Sequence, residues 1–157
     1  MRSIAAMALM GAMAPAGSQA TVTIDAPMAQ AIIAGCVAEA SGKMQSHAIA
    51  VVDTGGHLVA ALRMDGNPSG IFDFAFAKAN AASAWGFSTA QMAVLAKATP
   101  GFANAPHVVT VPGGIPVYGA DGKTRIGAVG VSGEAPEDDA ACAETGVRAA
   151  GLRTSRN

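Results

Sequence analysis

The stretch His47–Ala61, HAIAVVDTGGHLVAA, decides the fold. It reads as a strand over Ala48–Asp53, a tight turn through Thr54-Gly55-Gly56, and a second strand over His57–Met64. The paired glycines supply the positive φ that a short hairpin turn requires. The polar alternation that marks a half-exposed sheet is missing from Ala48–Val52 and Leu58–Leu62, so both faces are expected to be covered. Such a hairpin is marginal by itself and needs more strands or helices to bury it.

On its N-terminal side, Asp25 is placed to cap a helix carrying Pro27 in its first turn. Ala29, Ile32, Ile33, Cys36 and Ala40 recur at helical spacing until Ser41-Gly42. Downstream, Arg63–Pro68 is a strand end running into a turn, and a helix is expected from about Gly70 to Trp85. Ile71, Phe74, Ala75, Ala82 and Trp85 share one face of it, with Lys78 at the centre. Ser88 or Thr89 caps a short helix, Ala90–Ala98, and residues 99–106 read as a loop.

Three β segments follow: His107–Val111, Ile115–Tyr118 after Pro112-Gly113-Gly114, and Arg125–Ser132 after the turn Ala120–Lys123. Gly127 and Gly130 suggest that something packs closely on the last strand. Glu134, Glu137, Asp138 and Asp139 suit a helix N-terminus. That helix carries Cys142, Ala143, Gly146, Ala149 and Ala150 on one face, and the tail Arg153–Asn157 is expected to fray. Strands in hairpin-connected groups predict an α+β fold with an antiparallel sheet. The first and last helices would lie on one face and the middle helices on the other.

The 157 residues fit one domain with a sizeable core. Abundant alanine and glycine, with only 4% aromatic residues, favour close helix-on-sheet packing. A net charge of −1 gives no electrostatic case for nucleic acid or an anionic membrane. Residues 1–20 read as a signal peptide: Arg2, an apolar run Ile4–Ala14, and a small-residue cleavage site at Ser18-Gln19-Ala20. The run is too short for a stable membrane anchor. The mature domain would then be 21–157, periplasmic or secreted; the alternative is an Ala/Met-rich leader on a cytosolic protein.

Cys36 and Cys142 read either as two buried thiols or as a disulfide joining the terminal helices. Without CxxC or histidines at ligand spacing, no metal cluster is indicated. His47, His57 and His107 all fall at strand ends, and His47 and His57 are expected to be near neighbours. Lys78 needs an anionic partner, from Asp53, Asp65 or a ligand carboxylate, to sit on an apolar face. Arg63 and Asp65 complete a candidate polar cluster. Gly113-Gly114 is a bulge or a pair of amides offered to an anion. Phe72 and Phe76, one turn apart, form a candidate apolar surface patch. No Ser-His-Asp order, P-loop or dinucleotide fingerprint occurs.

The run AIAVVDTGGHLVAALRMDG, the helix bearing Ala77-Lys78-Ala79, the run GGIPVYGADGKTRIGAVGVSG and the helix Glu137–Ala150 together resemble the GlcG/HbpS family, which includes the C-terminal domain of PduO-type proteins. The resemblance spans about Thr23–Leu152. It implies a profilin-like α+β fold: a five-stranded antiparallel sheet with helices on both faces. It also implies homo-oligomers and, in some members, binding or breakdown of haem or binding of a related tetrapyrrole. On that reading the cofactor-binding candidates are His107, Lys78, Gly113 and Gly114. His107, set among Phe102, Ala103, Pro106 and Val108, is the candidate metal ligand. The alternative is a small-molecule enzyme, an isomerase or lyase, acting on a carboxylate-bearing substrate in a pocket with Lys78, Arg63 and Asp65.

Overall fold

The computed structural model describes residues 22–157, so the expected signal peptide, 1–20, lies outside the described residues. The hairpin forms as β1 (Ala48–Asp53) and β2 (Leu58–Arg63), preceded by α1 (Ala26–Gly42) and followed by α2 (Ser69–Trp85) and α3 (Thr89–Ala98). After a single 3-10 turn, Phe102–Asn104, come β3 (Gly114–Tyr118), β4 (Arg125–Ser132) and α4 (Pro136–Ala149). The helix starts follow the expected chemistry. Asp25 accepts the Met28 N–H at 2.8 Å, with Pro27 in the first turn, and Ser88 and Gln91 form a reciprocal capping box.

The sheet is antiparallel in the order β2-β1-β4-β3, with four strands rather than five. His107–Val111 makes no strand, despite its β-rich composition. His107 takes a left-handed backbone (φ 59) and the Val108 N–H turns back to the Ala105 carbonyl, which carries the segment away from the ladder. At Tyr118 the outer edge of β3 is met instead by the C-terminal tail. Tyr118 and Arg153 exchange backbone hydrogen bonds at 2.8 and 3.1 Å, and the Asn157 N–H reaches the Gly122 carbonyl. The tail that was expected to fray is pinned.

One face of the sheet packs Ile49, Val51, Val129 and Val131 under α1 and α4, through Ile32, Cys36, Ala143 and Val147. Those helices lie side by side, joined by a Cys36–Cys142 disulfide with Cα atoms 4.7 Å apart, within the range a disulfide spans. On the other face, α2 rests on Ala50, Val52, Ala128 and Gly130. A Cβ at Gly130 would strike the Ala75 carbonyl and the Ala79 backbone, so α2 sits this low only because the strand offers glycine. Phe72 and Phe76 are half-buried against that same small-residue cluster rather than forming a free patch. β1 is covered on both faces, as expected, but β2 is not. It is an edge strand, and Leu58 and Leu62 stay 50% and 37% exposed.

Candidate functional site

The charged residue in the middle of α2 is fully buried, and its partner comes from the far end of the chain. Lys78 Nζ donates to Asp139 Oδ2 at 2.8 Å and to the Val131 carbonyl at 3.0 Å, with the Phe74 ring centroid 4.8 Å away. Asp139 lies in the first turn of α4, where the helix dipole favours an anion. Its Oδ1 accepts the Glu134 N–H at 3.1 Å and stands 3.1 Å from Nδ1 of the buried His47. One cluster thereby ties α2, the strand ends and α4 together, and His47 Nε2 is left buried without a partner.

The role kept open for Asp53, Asp65 or a ligand carboxylate is thus taken by Asp139. Sequence reasoning treated Asp139 as one acid among several at a helix start. A usable signal was present: it precedes Cys142, Ala143 and Gly146 by three, four and seven residues, which places it on their apolar stripe.

Lys78, Arg63 and Asp65 do not share a pocket. Arg63 and Asp65 are exposed; the Arg63 guanidinium donates to the Asn67 carbonyl, and the Asp65 carbonyl accepts from Ser46 Oγ. Gly113 and Gly114 are buried beside Lys78. The Gly114 N–H is spent on Thr89 Oγ1 at 2.9 Å, and a Cβ at either glycine would press on Lys78. His47 and His57 are also apart: His47 lies opposite Met64, whereas His57 follows the turn at the other end of β1.

That other end is open. The turn Thr54–Gly56 is shaped by Asp53, whose Oδ1 accepts the N–H groups of Gly55 (2.8 Å) and His57 (2.9 Å), while Oδ2 faces His57 Nδ1 at 3.1 Å. Burial pushes the Asp53 carboxyl up. The bonds from the His57 backbone, the His57 ring and the Gly55 amide outweigh it and hold the group below the usual carboxylate range.

Beside this turn is a cavity of about 120 Å³, bounded by Gly55, Gly56, Asn80, Ser83 and the exposed His107. Thr54 also borders a larger cleft of about 480 Å³, lined by Gly86, Tyr118, Arg125 and Arg156. The loop carrying His107 is held by Trp85, whose Nε1 donates to the Pro106 carbonyl at 3.0 Å and whose ring meets Phe102 edge-on at 5.2 Å. Among the described residues, the His107 ring has no hydrogen bond or ion pair with protein, and no three acidic, histidine or cysteine side chains gather as a metal site. Arg125 and Arg156 were not singled out from sequence, since only the pinned tail brings them to one cleft.

An antiparallel four-stranded sheet between a disulfide-joined helix pair and α2, with an imidazole at its open end, defines a small α+β domain with a ligand-sized rim. The chain belongs to the family described as haem degrading protein HbpS-like, matching it over residues 24–148. It is similar in structure to the Klebsiella pneumoniae protein ORFY, with 26% identity, a TM-score of 0.77, and coverage of 91% of this chain and 97% of that one. A Streptomyces reticuli HbpS double mutant gives 26% identity and a TM-score of 0.75, over 91% of this chain and 97% of that one. A PduOC structure described as a haem complex has the same fold, with a TM-score of 0.78 at 24% identity, over 86% of this chain and all of that one. Among proteins of curated function, none matches the chain.

Proposed function

We propose that this chain is an exported, oligomeric binding protein for haem or a related tetrapyrrole, and that the ligand sits at the open end beside the hairpin turn. The observation that carries the reading is His107: an exposed imidazole on a left-handed backbone, at the mouth of a cavity, with no protein partner among the described residues. Its surroundings fit the group. Phe102 and Trp85 give the loop apolar surface, and the neighbouring cleft of about 480 Å³ falls in the size range of small-molecule sites. Bound haem would supply an iron centre able to accept an imidazole, and His107 is the residue that would offer it. The protein's part is to hold that imidazole in place, through the Trp85–Pro106 bond and the Ala105–Val108 turn. Lys78, Gly113 and Gly114 serve this reading from a distance, as the packed frame behind α2.

Export is supported by the Cys36–Cys142 disulfide, a bond that persists in oxidising compartments. Assembly is supported by the unpaired, apolar edge of β2. The layering, α1 and α4 on one face and α2 on the other, supports the profilin-like arrangement. The isomerase or lyase reading draws nothing from the geometry, because Lys78 is closed off from Arg63 and Asp65.

Titrating the purified protein with haemin tests the reading. A shifted Soret band is expected for the wild type and a weakened or displaced one for His107→Ala. A wild-type spectrum identical to free haemin would sink the proposal, and an unchanged spectrum in the variant would remove His107 from it.

A further inference from the structure

The cleft beyond Thr54 carries two guanidinium groups and no carboxylate among its lining residues. Arg125 is the first residue of β4, and its guanidinium lies against Gly86. Gly86 ends α2 in the left-handed conformation (φ 76), and a Cβ there would collide with the Arg125 guanidinium. Arg156 is placed by the pinned tail, between the Arg153–Tyr118 pairing and the Asn157–Gly122 bond. Tyr118 lines the same cleft, and its hydroxyl donates to the Gly86 carbonyl at 3.4 Å.

Among the described residues, neither arginine has an acidic partner within ion-pair distance. Two nearby acids are engaged elsewhere: Asp53 by Gly55 and His57, and Asp121 by the Lys123 and Thr124 amides. Arg156 is exposed and Arg125 half-buried, so both donor sets are open to a ligand, and guanidinium groups suit carboxylates through paired N–H donors.

We propose that Arg125 and Arg156 form an acid-recognising subsite, so that the ligand of this end of the molecule carries carboxylate groups that enter the cleft while its body lies toward His107. This rests on the proposed tetrapyrrole reading for the body of the ligand, and the porphyrin acids are then what the arginines recognise. The charge recognition itself stands on the cleft alone. Arg125 and Arg156 bind and orient; no bond is made or broken there.

Trp85, the single tryptophan of the chain, is hydrogen-bonded to the His107 loop and reports binding by its fluorescence. Protoporphyrin IX, as the free diacid and as its dimethyl ester, is titrated into the wild type and into Arg125→Ala/Arg156→Ala. The diacid is expected to bind the wild type at least about tenfold tighter than the diester, the loss of one charge-assisted pair. The double variant is expected to bind both forms with the affinity of the diester. Equal binding of the two forms by the wild type, or a parallel loss of both in the variant, overturns the subsite.

If neither porphyrin binds, the tetrapyrrole reading has failed and the subsite is decided by a second measurement. Succinate is compared with chloride at matched ionic strength, following the thermal midpoint of both proteins. Stabilisation of the wild type alone upholds an acid subsite for a smaller ligand. No difference between wild type and variant removes it. Near-identical circular dichroism of the unliganded proteins guards against misfolding of the variant, and Arg125→Lys/Arg156→Lys provides a second, charge-preserving pair, expected to recover part of the preference.

Discussion

At the scale of single residues, an ammonium with no exposure persists only where its charge and donors are met, because an unpaired buried ion costs several kcal/mol. Lys78 is met by Asp139 and Val131, and Asp139 in turn by His47 and the Glu134 amide. Lys78→Ala would strand the carboxylate, and the expected loss is about 3–5 kcal/mol, a fall of roughly 10 °C in the thermal midpoint. Haemin affinity per folded molecule should be unchanged, since the pair does not touch the open cavity. A midpoint within about 2 °C of wild type would show that the cluster carries little stability. Asp53 makes a different prediction. Its folded value is lowered, so its contribution is present above the ordinary aspartate value of about 3.9 and is lost as pH falls through the folded value. An NMR titration of its carboxyl should find a midpoint below that of a free aspartate, and His57→Ala should raise it. A midpoint at or above the ordinary value would contradict the turn chemistry.

At the scale of elements, what was legible in the sequence was local. Asp25 with Pro27, Ser88 of the two offered caps, and Gly56 in the hairpin turn each declare a boundary within four residues, and those boundaries stand, although of the paired glycines only Gly56 takes a positive φ. His107–Val111 was misread because β-rich composition does not supply a strand with a neighbour. The left-handed backbone at His107 and the tail at Tyr118 are fixed by the tertiary structure. The two cysteines lay between these cases: each stripe was readable, but the 106-residue link between them was one option of two. A disulfide of this kind is typically worth about 2–4 kcal/mol. Reduction under non-denaturing conditions, or Cys36→Ala/Cys142→Ala, should lower the thermal midpoint by roughly 5–15 °C and leave the far-ultraviolet circular dichroism nearly unchanged. A midpoint insensitive to reductant would mean that α1 and α4 are held by packing alone.

At the scale of the whole molecule, the sheet has one sealed end and one open end, and no local signal distinguishes them. Lys78 and Asp139 are 61 residues apart, and Arg156 reaches the Arg125 cleft only through the tail. The same holds for β2, whose two faces read from sequence as covered and which is an edge strand in the sheet. Its outer backbone is unpaired, with Leu58 and Leu62 exposed beside it, a combination that invites another strand. A second copy pairing antiparallel about a twofold axis satisfies that edge and closes the assembly at the sheet, whereas a head-to-tail contact would leave an edge free. Leu58→Lys/Leu62→Lys puts charge on the edge at sites already half in water, so the protomer should keep its stability to within about 1 kcal/mol. Sedimentation equilibrium at micromolar concentration should show an oligomer for the wild type and a smaller species for the variant. A monomeric wild type would end the case for assembly. An oligomer of the same size in both proteins would leave assembly intact and move it off β2, toward the exposed Val94 and Leu95 of α3.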